Sequence, residues 1–225
     1  MSNKNDKMVD PQAPRRGAGR PRGATADRTR EEILEGALEA FADAGYEAMS
    51  VRELARRVGV SHNLVHHHFG AKPEVWQAAV KFGLEASILE LVELLEKATG
   101  LPSPEETLRI GLRRTISMLA RRPAIARIIA DEAGRGGERL DYIYDEFIQP
   151  GLTTLERFLG GAQGNRIHDV DSRMLALFVA SVVSAPFTHG ALAAKLGVPR
   201  PKSERAVERY AETLVDLMLG GIVGD

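Results

Sequence analysis

The sequence predicts an all-α protein: a small three-helix head built around a helix-turn-helix, joined to a larger helical body, about nine helices in all. Two observations carry this. From position 28 onward apolar residues recur at helical spacing, and no stretch alternates as a strand would. Capping residues, glycines and prolines break that pattern into segments of helical length. No self-similarity at a period of 20–50 residues points to a repeat architecture.

Residues 1–27 stand apart as an arm. They are rich in Gly, Pro and Arg, hold almost no large apolar side chain, and are expected to be disordered in solution. Residues 1–30 carry eight Lys and Arg against three Asp, a net +5; the other 195 carry 22 basic and 28 acidic residues, a net −6. The overall charge of −1 hides this asymmetry, which favours a polyanionic partner at one end of the molecule. Gly19-Arg20-Pro21-Arg22-Gly23 resembles arms that lie in an A·T-rich minor groove, with Arg20 and Arg22 as the inserted cations. A solvated, non-specific tail is the equal alternative.

The head is expected over 28–73. Helix one, about 28–44, presents Ile33, Leu34, Ala37, Leu38, Phe41 and Ala42 on one face and ends at Gly45-Tyr46. Ser50 starts helix two, about 51–58. Its hydroxyl can accept from the first turn while Glu53 reaches back, a capping box, and Met49 and Leu54 sit at staple positions. Gly59 stops this helix by tolerating a left-handed backbone. Val60-Ser61 restarts the chain as staple and cap of helix three, about 62–68, with Val65 completing the staple. Ala55 suits the tight contact between the two helices. Two short helices with a glycine turn can be ordinary αα packing; the helical segments on both sides favour a helix-turn-helix, which places its second helix in a DNA major groove.

The body, 74–225, follows as further helices. Helix four, about 72–98, has the stripe Trp76, Val80, Leu84, Ile88, Leu91 and Leu95, with Gly83 in its middle as a bend point or close contact. Gly100-Leu101-Pro102 ends it, and Ser103-Pro104-Glu105-Glu106 caps helix five. Pro123 and Gly134 bound helix six. Helix seven, about 138–159, is expected to kink at Pro150. A loop from Gly160 to Asp169 precedes helix eight, about 172–194, with Pro186 as a break or kink. Ser203 caps helix nine, which carries Val207, Tyr210, Leu214, Leu217 and Met218.

Composition removes several function classes. A hydrophobic share of 44% supports a real core. No run of 18 apolar residues is present, so no membrane span is expected, and the polar start carries no signal-peptide pattern; a cytoplasmic location fits both. The absence of cysteine excludes disulfides, thiolate metal sites and cysteine nucleophiles. No G-x-S-x-G, P-loop or H-E-x-x-H motif is found, and the acidic pairs Glu105-Glu106 and Asp131-Glu132 fit helix N-terminal charge and solvated faces, so no enzyme is expected. His66-His67-His68 does not read as a metal site, because successive helical residues point about 100° apart. His62 and His66, one turn apart, lack a third ligand nearby. No cofactor is expected.

The stretch from Arg30 to about Val80 resembles the DNA-binding domain of TetR-family transcriptional regulators. The matching residues are Ile33-Leu34, Ala37, Phe41, Gly45-Tyr46, Ser50-Val51-Arg52-Glu53-Leu54-Ala55, Gly59-Val60-Ser61, His68-Phe69 and Lys72, about a quarter of the chain. Val65 and His66 replace the family's usual Leu-Tyr pair, and an imidazole at 66 can donate the phosphate hydrogen bond that the aromatic hydroxyl would. Ala71 stands where a capping Ser is common.

The helix-turn-helix and the resemblance together assign the contacts. Ser50 and Ser61, at helix N-termini, and Lys72 and His66 are placed on phosphates. His62, Asn63 and His67 project from the recognition helix; Asn63 can read adenine, and His62 guanine or the backbone. Arg52 touches a phosphate, a base edge or only solvent. His68 matches a structural His packed between helices.

The resemblance further implies a homodimer on a double-stranded DNA operator and a small-molecule effector held in the body. Leu177, Val182, Leu214, Leu217 and Met218 are the candidate dimer interface, with a purely intramolecular core as the alternative. Met118, Tyr142, Tyr144, Phe147, Phe178 and Phe187 are the candidate pocket wall, or plain core. The implied function is a ligand-responsive regulator, a repressor released from a palindromic operator by an apolar or aromatic effector. The alternatives are an activator of the same fold or a helical interaction protein without small-molecule release.

Overall fold

The computed structural model describes residues 22–97, 103–161, 171–198, 200–201 and 203–222. Among them every regular element is helical. The head comprises α1 (Arg22–Ala48), α2 (Val51–Val58) and α3 (His62–Phe69). The body comprises α4 (Lys72–Glu96), α5 (Pro104–Arg121), α6 (Pro123–Arg135), α7 (Glu138–Ile143), a π-helical segment (Tyr144–Ile148), α8 (Gln149–Gly161), α9 (Ser172–Thr188), α10 (Gly190–Lys195) and α11 (Glu204–Ile222).

The nine expected rods are recognisable, and the differences have local causes. Helix α1 starts at Arg22, so it takes in residues 22–27, which their composition had placed in the arm. Lack of large apolar side chains does not bar a helix there, because extending a nucleated helix adds one hydrogen bond per residue fixed. The backbone of α1 breaks at Gly45, in a left-handed conformation (φ 76°). Expected helix seven is one run divided by the π segment, in which Gln149 N–H donates to Tyr144 C=O just ahead of Pro150. Proline lacks the N–H and its ring crowds the preceding turn, so a widened turn replaces a kink. Helix six passes Gly134 and stops at Gly136-Gly137, both with positive φ.

Expected helix eight divides at His189, not at Pro186, which lies inside α9. Pro186 cannot donate to the Val182 carbonyl one turn back. The Tyr210 hydroxyl of α11 donates to that carbonyl at 2.9 Å. Burial pushes the Tyr210 pKa up to about 12, so the hydroxyl keeps its proton.

One hydrophobic core runs through head and body. Ile33, Leu34, Ala37, Leu38 and Phe41 of α1 are buried with Leu54, Val65, Trp76 and Val80, continuous with Ile116, Ile125, Ile143 and Val183 of the body. Helix α1 packs on α2, α4 and α6, so the head is carried directly by body elements. Two glycines allow the closest approaches. A Cβ at Gly36 would lie 2.5 Å from Val58 Cγ2, which brings α2 against α1. A Cβ at Gly83 would lie 2.3 Å from Ile125 Cδ1, so Gly83 is a helix-crossing point between α4 and α6.

Candidate nucleic-acid interface

Helices α2 and α3 are both capped by serines at their N-termini. The Ser50 hydroxyl accepts from Glu53 N–H and the Ser61 hydroxyl from Leu64 N–H, each at 3.1 Å. Each serine keeps its own O–H to donate. Gly59 is left-handed (φ 79°, ψ 28°), and the Gly59 and Val60 N–H groups both donate to the Ala55 carbonyl at 3.0 Å. Met49, Leu54, Ala55 and Val65 are buried beneath the turn.

The expected capping box is half formed. Glu53 does not reach back to the Ser50 backbone; its carboxylate takes a two-pronged contact from Arg56 (2.9 and 2.7 Å) and a third from Arg57 (3.3 Å). A fork of charged hydrogen bonds outcompetes one neutral N–H. The hydrogen bonds of Arg56 and then Arg57 hold the Glu53 carboxyl down at about 2.

With Val65 in the core, α3 turns His62, Asn63, His66 and His67 to solvent, and Arg52 of α2 is exposed beside them. No acid stands in the first turn of α3. A helix N-terminus without acids, capped by a serine and fringed by donors, suits a polyanion. His68 is half-buried, its ring 5.7 Å from His67 and 5.9 Å from Phe69.

Two expected phosphate contacts already hold partners within the chain. Lys72 Nζ donates to the Glu47 carbonyl at 3.3 Å and sits 4.2 Å above the Tyr46 ring. The guanidinium of Arg139 lies 4.1 Å from the same ring. Tyr46 therefore lies between two cations, edge-on to Trp76. Local sequence carries no sign of this cluster, because Arg139 is remote in the chain. His66 Nδ1 lies 2.9 Å from the Gly70 carbonyl, and the His66 ring is parallel to His62, centroids 6.3 Å apart. The i to i+4 contact back to a cap carbonyl was missed, although the spacing from His66 to Gly70 was its signal. Arg20 lies outside the described residues, and only the backbone of Arg22 is described.

The body holds a cavity of about 240 Å³ between α4, α5, α8 and α9. Ile88, Leu91, Leu112, Phe147, Leu155 and Val179 are among its walls. The hydroxyls of Thr107 and Thr115, also in the wall, donate to the Ser103 and Gly111 carbonyls of their own helix. Of the six expected wall residues, Phe147 lines this cavity. Met118 and Phe187 are buried elsewhere in the core, and Tyr142 packs on Trp76 and Phe147. Tyr144 is exposed on the π segment, and Phe178 is 57% exposed on the outer face of α9. Periodicity gives the apolar face of a helix, not which part of that face borders empty space.

Met174, Leu177, Phe178 and Val182 form a stripe along the outside of α9, and Leu217 of α11 is exposed as well. Leu214, expected at an interface, is only 7% exposed and packs in the hydrophobic core. The side chain of Met218 lies outside the described residues. Among the described residues no helix is long and apolar enough to cross a membrane, and no group of three or more His, Cys, Asp or Glu is placed to hold a metal ion.

Comparison with known proteins gives the site a context. The family model described as bacterial regulatory proteins, tetR family, matches residues 33–79. The HTH-type transcriptional repressor AcnR of Corynebacterium efficiens is 36% identical over 102 residues, 42% of this chain and 53% of that protein. The chain spans about half the length of the curated relatives it matches first. Over nearly the whole chain the likeness is structural. The ketosteroid regulator KstR2 of Mycobacterium tuberculosis superposes with a TM-score of 0.68 at 21% identity, covering 87% of this chain and 96% of that one. The regulator FadR of Bacillus subtilis, in complex with stearoyl-CoA, gives 0.60 at 17% identity, covering 87% and 98%. At these identities the likeness establishes the fold. All three carry names of regulators, not enzymes.

Proposed function

We infer that this chain, a member of the TetR family of bacterial regulatory proteins, is a sequence-specific DNA-binding transcriptional regulator. It acts as a homodimer on a palindromic duplex and, as a repressor, is released by a small apolar effector. The observation that carries this reading is α3 itself. A capped helix is anchored by Val65 and offers His62, Asn63, His66 and His67 on one free face. Two such helices related by a two-fold axis would meet half-sites about one helical turn apart. The stripe from Met174 to Val182 on α9 and the exposed Leu217 of α11 are the surfaces that pairing would cover. The arm would add minor-groove contacts through Arg20 and Arg22.

Selection of bound duplexes from a random pool tests the reading. A two-fold symmetric motif is expected, and a pool that stays unenriched at moderate salt with folded protein would end it. Two substitutions separate positioning from base reading. Lys72→Ala should weaken all duplexes alike and flatten the salt dependence by about one unit of slope per half-site. Asn63→Ala should cost about 1–3 kcal/mol at one base position and relax the preference there. An unchanged sequence preference in Asn63→Ala would remove Asn63 from base reading.

The cavity is the effector site in this reading. Its walls are hydrocarbon and its threonine hydroxyls are engaged, so it suits an uncharged apolar group; the Bacillus subtilis neighbour bound to stearoyl-CoA has an acyl chain of that character. Gly151 borders the cavity, and a Cβ there would meet nothing within 4 Å. Gly151→Leu should fill the space without strain. The fluorescence of N-phenyl-1-naphthylamine, a neutral apolar dye, should rise with the natural protein and not with this variant. Equal enhancement in both would place dye binding elsewhere.

Ligand release would follow from coupling: an effector that favours one spacing of the heads weakens DNA by the factor by which DNA weakens the effector. Helix α4 runs from Lys72 past the cavity wall at Leu95, which makes it the connecting element.

A further inference from the structure

We propose that operator binding by this protein takes up protons, through His66, so that DNA affinity rises as pH falls from 8 to 6. The proposal rests on the DNA-binding reading above and adds to it the protonation state that the contact requires.

His66 Nδ1 lies 2.9 Å from the Gly70 carbonyl oxygen, which can only accept. Nδ1 therefore carries the hydrogen. In neutral imidazole the other nitrogen, Nε2, then has a lone pair and no hydrogen. His66 is exposed, one turn beyond His62 on the free face of α3. When the first turn of α3 enters a major groove about 12 Å wide, the next turn along that face meets the phosphate wall. A phosphate oxygen is also only an acceptor. Neutral His66 would set a lone pair against it, whereas imidazolium donates from both nitrogens, to Gly70 and to phosphate. A tyrosine at this position would donate at any pH near neutrality, whereas this histidine, with Nδ1 on Gly70, donates to phosphate only when charged.

The surroundings permit the charge. Of the side-chain types near α3, only histidine titrates between pH 6 and 8. Arg52, Glu53, Arg56 and Arg57 are the charged groups of α2, Lys72 and Glu74 those in the first turn of α4, and Arg30 of α1 lies over Phe69. Glu53 is committed to Arg56 and Arg57, and Lys72 to Tyr46 and Glu47. Glu74 Oε2 lies 3.7 Å from where a Gly70 Cβ would be. His66 also stands in the last turn of α3. His62 faces it with the rings parallel and 6.3 Å apart, so two imidazolium charges there would repel. The expected uptake is about one proton per head. His67 and His68, on the same helix, are the other titrating groups, and substitution at position 66 separates their contribution.

The test uses the full chain and a labelled duplex recovered from random-pool selection at pH 6. Fluorescence anisotropy at pH 6, 7 and 8, at constant ionic strength, should show Kd falling roughly tenfold per head from pH 8 to pH 6, as the binding-competent imidazolium form becomes populated. Calorimetry in two buffers of different ionisation enthalpy should count about one proton per head. His66→Tyr should bind with little pH dependence and more tightly than the natural protein at pH 8; His66→Gln should also lose the slope, which keeps the test open should the tyrosine variant fold poorly. A flat profile for the natural protein, or either variant keeping its slope, would overturn the proposal. No saturable binding at any of the three pH values would instead overturn the DNA-binding reading.

Discussion

Arg139→Leu is expected to lower the stability of this protein by about 3–5 kcal/mol, because it leaves a carboxylate buried without its counter-charge. Glu132 of α6 is 2% exposed. Its Oε1 accepts from Arg139 Nε at 2.8 Å, while Oε2 has no hydrogen-bond partner among the described residues. Arg139 supplies the local positive charge, extends a second nitrogen to Glu47 at 3.3 Å and covers the Tyr46 ring. The hydrogen bond from Arg139 to Glu132 pushes the guanidinium pKa further up, so Arg139 keeps its charge. For a chain of this size the loss corresponds to a thermal midpoint lower by roughly 10 °C. The double variant Glu132→Leu, Arg139→Leu removes both charges and should recover most of it, as replacement of a buried pair by apolar residues often does. A single-variant loss below about 1 kcal/mol would show that water reaches Glu132 and that the pair contributes little.

Gly83→Val is expected to cost about 2–3 kcal/mol by overpacking the crossing of α4 and α6. The first added carbon would lie 2.3 Å from Ile125 Cδ1, 2.7 Å from Ile125 Cγ1 and 3.3 Å from Leu38 Cδ1. Ile125 and Leu38 are both fully buried, so the crowded atoms have no solvent side to move toward. Replacing a helical glycine contributes in the opposite direction, about 0.5 kcal/mol for valine, and does not offset a clash of this depth. Shortening the neighbour should relieve it: Gly83→Val with Ile125→Ala should be more stable than Gly83→Val alone, as a denaturant titration would read. A Gly83→Val variant as stable as the natural protein would mean that α4 and α6 separate without cost. The same crossing holds α4, which begins at Lys72 after α3, against α6.

The head was legible because its instructions are local. Ser50, Gly59, Ser61 and Gly45 each act within about four residues, and each performs the backbone task assigned to it. Helical periodicity likewise placed Ile33, Leu54, Val65 and Trp76 in the core. Two local contacts were not foreseen, because more than one partner was within reach of one group. Glu53 chose Arg56 and Arg57 over the Ser50 backbone, and His66 bonded Gly70. Both alternatives lie within one turn, so the sequence contained them without ranking them.

By itself, then, the sequence determined the helical elements, their caps, the helix-turn-helix and the polar face of α3, since these depend on backbone dihedrals and on neighbours three or four positions away. Only the tertiary structure decided that Phe147, not Phe178, borders the cavity, that Leu214 faces inward, and that Tyr46 lies between Lys72 and Arg139. The same holds for the Tyr210 hydroxyl on the carbonyl that Pro186 leaves free, 28 positions away, and for Arg139 with Glu47, 92 positions away. Such pairings depend on how rigid helices pack in three dimensions, and packing is settled by the whole core at once.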